Sequence, residues 1–75
     1  MSVEKLTDLA VKHLYAGELL RRVALDFAPL MEHMSDEQIV AAQRLRDLLI
    51  AYAESELVVT NGLCEVAELE REKAA

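Results

Sequence analysis

Tryptophan is absent from this 75-residue chain, cysteine and proline occur once each, and glycine occurs twice. Each shortage excludes something. Loops need Gly and Pro as punctuation, so a chain with three such residues reads as helix nearly throughout. A lone cysteine, Cys64, rules out an intrachain disulfide and makes the cytoplasm the expected location. Only two histidines are present, His13 and His33, and neither belongs to a cluster at metal-ligand spacing, so no metal or cofactor is expected. Three aromatic residues, Tyr15, Phe27 and Tyr52, are too few for a base-stacking surface. Basic residues form no stripe, which argues against sequence-independent nucleic-acid binding. No apolar run reaches the ~18 residues of a membrane span. The first residues, MSVEKLTDLAVKH, mix charges and have no apolar core of the signal-peptide kind.

Apolar residues are plentiful, at 53% of the chain. Chains of this size bury only about 60–65% of their unfolded surface, so a single core leaves little stability in hand. With disulfide and metal excluded, oligomerisation or unusually good packing has to supply the rest. The apolar content is mostly Leu, Ala and Val, which suits helix packing. An excess of it implies an exposed apolar face, the mark of an interaction site. The net charge of −6 divides as −1, −3 and −2 over residues 1–35, 36–60 and 61–75.

The expected fold class is all-α: an antiparallel helical hairpin, coiled-coil-like, that assembles as a homodimer. Helix one is expected over residues 3–28. Leu6, Leu9, His13, Ala16, Leu20, Val23, Phe27, Leu30 and Met34 follow one another in steps of three and four, which is heptad spacing. Beside them runs a line of small residues, Ala10, Gly17 and Ala24, suited to the close approach of a second helix. Lys5, Asp8, Lys12, Tyr15, Arg22 and Asp26 form the wet side. Asp8–Lys12, Glu18–Arg22 and Arg22–Asp26 are spaced for i,i+4 ion pairs. Pro29 is expected to end or kink the helix, since it pushes Ala28 out of the α region.

MSDEQI is then a complete helix start. Ser35 is the N-cap and Gln38 closes a capping box, while Met34 and Ile39 are placed for a hydrophobic staple. Asp36 and Glu37 favour the positive end of the helix dipole. Helix two is expected over residues 36–72, with Ile39, Ala42, Leu45, Leu48, Leu49, Tyr52 and Ala53 facing inward.

Asn61-Gly62 interrupts this reading, because Asn-Gly between apolar residues is a hairpin-turn signal. Three outcomes compete: a continuous or gently kinked helix, a break with a third helix, and a β-hairpin. Flanking strands of four residues are too short for a stable hairpin. Heptad spacing continues without a skip through Tyr52, Ser55, Val59, Gly62, Val66 and Leu69. An Asn-Gly pair inside a helix costs about 1.5 kcal/mol, which a packed seam offsets. Continuity is the favoured expectation. Residues 1–60 would then form the hairpin and residues 61–75 a helical extension, the last dozen residues overhanging helix one.

Candidate chemistry is sparse. His13 on the seam reads as a packed, hydrogen-bonded histidine sooner than a ligand or switch. Glu65 beside Cys64 disfavours the thiolate, so that thiol reads as structural. Glu65, Glu68 and Glu72 share a face and read as a solvated row. Arg21, Arg22, Arg44 and Arg46 are the only basic clusters, and acidic neighbours offset them. No catalytic motif is present, so no enzyme activity is expected.

The expected role is a small non-enzymatic protein-interaction module that regulates or escorts a target protein. In general kind, a tiny acidic two-helix chain resembles the accessory inhibitors, anti-activators and small cochaperones of bacteria and their phages. Leu57, Val59, Leu63, Val66 and Leu69 are the expected dimer interface. Tyr15, Leu19, Arg22, Phe27, Leu30, Met31 and Met34 are the candidates for binding the target. A nucleic-acid-associated regulator and a structural or scaffold component are the alternatives.

Overall fold

A computed structural model of the chain describes residues 2–74. They form two helices, α1 (Val3–Met31) and α2 (Asp36–Ala74), with no strand among the described residues. The helices pack against each other as an antiparallel hairpin measuring 59 × 14 × 12 Å. That length is set by α2 alone, since 39 residues at 1.5 Å per residue span about 58 Å.

Local signals account for the helix ends. Ser2 caps α1 by accepting a hydrogen bond from the Lys5 amide at 3.3 Å. The capping box at α2 forms in both directions. The Gln38 amide donates to Ser35 Oγ at 3.3 Å, and the Ser35 amide donates to Gln38 Oε1 at 2.9 Å. Arg71 and Lys73 lie in the last turn of α2, where cations favour the negative end of the dipole.

Pro29 does not end α1. The helix runs through it to Met31, so the joint between helices shrinks to Glu32–Ser35. A proline this close to the C-terminus removes a single amide donor, and the turn is nearly over before a second is needed. Turn bonds from the His33 and Met34 amides to the Leu30 and Met31 carbonyls then close the chain toward Ser35. Asn61-Gly62 lies inside α2, which is helical from Asp36 to Ala74 without a break. Gly62 has no positive φ and meets nothing within 4 Å. The three i,i+4 pairs expected along α1 do not close as ion pairs; exposed pairs of that kind gain little.

The line of contact between the helices differs from the stripe that the apolar pattern singles out. Three contacts set the register: Ala10 to Thr60, His13 to Glu56, and Gly17 to Ala53. The residue numbers of each pair add to 69 or 70. Along α1 the seam positions, all buried or half-buried, are Val3, Leu6, Ala10, His13, Gly17, Leu20, Ala24, Phe27 and Met31. Along α2 they are Ile39, Ala42, Arg46, Leu49, Ala53, Glu56, Thr60, Leu63 and Ala67. Both series advance by alternate steps of three and four, as coiled-coil seams do.

Ala10, Gly17 and Ala24 are therefore in the seam, where they replace Leu9, Ala16, Val23 and Leu30 of the expected stripe. Leu45, Leu48 and Tyr52, expected inward on α2, are exposed by about half. The buried apolar residues are Leu6 and five alanines, and no large side chain is fully buried. Small residues let two backbones approach, and the close approach displaces the larger side chains to the flanks.

The overhang of α2 is shorter than expected. Ala67 is buried at 3% exposure, and the register places it opposite Val3 in the first turn of α1. Only Glu68 onward extends past helix one, about seven residues or 10 Å.

Candidate functional site

The hairpin has two broad faces, one on each side of the seam. One carries a shallow groove lined by His13, Leu14, Gly17, Glu18, Arg21, Ala53 and Leu57. Because Leu14, Arg21 and Leu57 share it, the residues flanking the seam on the other side must share the opposite face. In an antiparallel pair these are Leu9, Ala16, Val23 and Leu30 from α1, with Leu45, Tyr52, Val59 and Val66 from α2. None of those eight is charged. Leu48, Ser55, Gly62 and Leu69 continue the same face along the outer edge of α2, at three-four spacing with the α2 set. The opposite face interleaves Leu14, Ile50 and Leu57 with Thr7, Arg21, Gln43 and Arg71, so it is mixed.

The polar residues of the hairpin's middle hold its register. Glu56 Oε2 lies 2.5 Å from His13 Nδ1, and the two side chains are 28% and 33% exposed. Thr60 is buried at 8% exposure; its hydroxyl donates to the Glu56 carbonyl at 2.9 Å and reaches the Ala10 carbonyl at 3.5 Å. Gly17 completes the group. A Cβ there would stand 3.3 Å from both the Ala53 carbonyl oxygen and Glu56 Cβ, closer than a side chain normally sits. Arg46 is half-buried on the seam, where the register sets it opposite Ala24, and its Nε has no hydrogen-bond partner among the described residues.

The expected interface residues separate. Leu57, Val59, Val66 and Leu69 are exposed, but Leu57 lies on the grooved face and the other three on the apolar face. Leu63 is half-buried on the seam of the hairpin itself. Among the candidates for target binding, Tyr15, Leu19 and Arg22 come together with Glu18 around a shallow hollow on the outer side of α1. Phe27 and Leu30 line another with Val23 and Asp26, about two helical turns further on. Met31 and Met34 are half-buried at the closed end of the hairpin.

Sequence reasoning missed Glu56, Thr60 and Arg46 as seam residues. The signal was present in the spacing of Ala10, Gly17 and Ala24 and of Ala42, Ala53 and Ala67, all multiples of a heptad or its three-four parts. The inward set expected for α2 is apolar apart from Tyr52, which leaves out Glu56 and Thr60, and Arg46 reads only as part of a basic cluster.

Glu65, Glu68 and Glu72 are exposed around Leu69, as expected of a solvated row. Cys64 is free and exposed. Among the described residues no group of three or more His, Cys, Asp or Glu is placed to hold a metal ion, and no helix is long and apolar enough to cross a membrane. No protein-family model matches the chain, and no match is found among curated proteins or solved structures.

Proposed function

We propose that this chain is a non-enzymatic helical interaction module that pairs with itself and binds a target protein, which it regulates or escorts. The observation that supports this reading is the distribution of apolar side chains. Seventeen large ones are exposed among the described residues, while the most deeply buried apolar residues are Leu6 and five alanines. A chain that spends small residues on its own fold and keeps large ones outside has surface for a partner.

The target patch is the outer side of α1 around Tyr15, Leu19 and Arg22. Tyr15 and Leu19 are the most exposed large apolar residues of that helix, at 70% and 63%. They point away from α2, with a cation between two carboxylates beside them at Glu18 and Asp26. Aromatic and arginine side chains in a shallow apolar hollow are the usual anchors of protein interfaces.

The test is affinity capture from extract of the source organism with the tagged full chain and with the double variant Tyr15→Ala/Leu19→Ala. A protein retained by the wild type and lost from the variant supports the patch. Retention of the same proteins by both would remove it.

A further inference from the structure

We propose that the uncharged broad face, from Leu9 and Val59 at one end to Leu30 and Leu45 at the other, is covered by the same face of a second copy of this chain. This rests on the self-pairing reading above and names the surface that performs it. The product is a four-helix assembly of two hairpins, layered face to face.

The first argument is area. A compact monomer of 8.4 kDa exposes about 4,600 Å². This hairpin exposes 5862 Å². The difference, about 1,200 Å², falls within what each chain of a stable dimer buries.

The second is spacing. Leu45, Leu48, Tyr52, Ser55, Val59, Gly62, Val66 and Leu69 repeat the three-four steps of the buried seam on a different side of the same helix. A heptad-spaced apolar row is complementary to another such row, and this chain provides one on every copy. The row has both large and small members. Tyr52 and Ala16 stand at the middle of the hairpin, level with Gly17 and Ala53, so a large side chain and a small one flank the same point of the seam.

Charge gives no support to a membrane as the occupant. Interfacial membrane helices border their apolar side with Lys and Arg. Here the borders are mixed in sign, with Lys5, Lys12 and Asp26 next to the face along α1 and Glu37, Arg44, Glu65 and Glu72 along α2, so the face lacks a cationic border. The eight flanking positions hold no charge, so two copies can meet there with charges of both signs at the rim.

The experiment compares the two faces in the full-length chain. Light scattering should give about 17 kDa, twice 8.4 kDa, for the wild type. Leu57→Glu, on the grooved face, should keep that mass, and Val59→Glu should lose it, since a two-fold contact receives each new carboxylate twice. Labelling supplies a second reading that does not depend on Val59→Glu remaining folded. The thiol introduced by Val59→Cys in a Cys64→Ser background should react with a maleimide at least roughly tenfold more slowly than Cys64 does in the wild type, and should speed up on dilution, because protection scales with the paired fraction. A dimer in which the introduced thiol reacts as fast as Cys64 would move the contact off this face while leaving self-pairing intact. A wild type of 8.4 kDa at every concentration would overturn both the face and the self-pairing.

Discussion

The seam and the uncharged face are parallel stripes on the same two helices, with the same heptad spacing and a different share of small residues. Between the helices Ala10, Gly17, Ala24, Ala42, Ala53 and Ala67 stand among Leu6, Leu20, Phe27, Leu49 and Leu63; on the open face stand Leu9, Ala16, Val23, Leu30, Leu45, Tyr52, Val59 and Val66. Small residues gain little from burial one by one, at about 25 cal/mol per Å² of apolar area. What they provide is proximity, seen where the Ala53 carbonyl would stand 3.3 Å from a Cβ at Gly17. The contrast teaches that hydrophobicity and burial are separate properties of a helical stripe. A hairpin can be held by its least hydrophobic positions when they alone let the backbones meet.

That contrast is open to attack from the seam outward. Gly17→Leu should have the largest effect, because the new side chain meets backbone and forces the helices apart; a loss of about 3 kcal/mol in urea unfolding is expected. An unchanged midpoint would mean that the seam is not closely packed there. Leu6→Ala removes the one large side chain among the buried apolar residues and should cost about 2 kcal/mol, whereas Leu25→Ala on the wet side should cost less than about 0.5. Ser35→Ala breaks the capping box at α2 and should cost about 1 kcal/mol, with Gln38→Ala adding little once Ser35 is gone.

Smaller effects sharpen the polar part of the seam. A double-mutant cycle on His13→Ala and Glu56→Ala should return a coupling of about 0.5–1 kcal/mol, the range of a partly exposed charged contact; additive single effects would reduce the pair to a coincidence of packing. Last is Gly62→Ala. Within one hairpin nothing lies within 4 Å, so at concentrations where the chain is unpaired the added methyl should stabilise the helix by about 0.8–1 kcal/mol. A loss instead would place another surface against Gly62.

Much of the architecture was legible before the structure. Ser35 and Gln38 announced the start of α2 because a capping box is local chemistry, complete within four residues. Continuity through Asn61-Gly62 was legible from spacing, since a turn would have broken the heptad phase. The seam was only half legible, for a reason that lies in helix geometry. Leu6, His13, Leu20 and Phe27 belong to two heptad stripes at once, one completed by Ala10, Gly17 and Ala24 and the other by Leu9, Ala16, Val23 and Leu30. Hydrophobicity selects the second set, and steric fit between backbones selects the first. Fit depends on the other helix, which no pattern along one helix contains. The end of α1 was misplaced because the pre-proline restriction at Ala28 is a preference, and contacts made by Phe27 and Met31 along the seam favour helix.

The tight joint at Glu32–Ser35 has a kinetic consequence. It closes a very short loop, so the first contacts between helices, near Met31 and Ile39, require almost no search through chain conformations. Pairing can then advance turn by turn toward the termini like a zip, and His13–Glu56 and Thr60–Ala10 form only after most of the hairpin exists. Amides near residues 20–31 and 39–50 should accordingly exchange with solvent more slowly than those near 3–10 and 60–70, and the open end should be the place where this hairpin comes apart first.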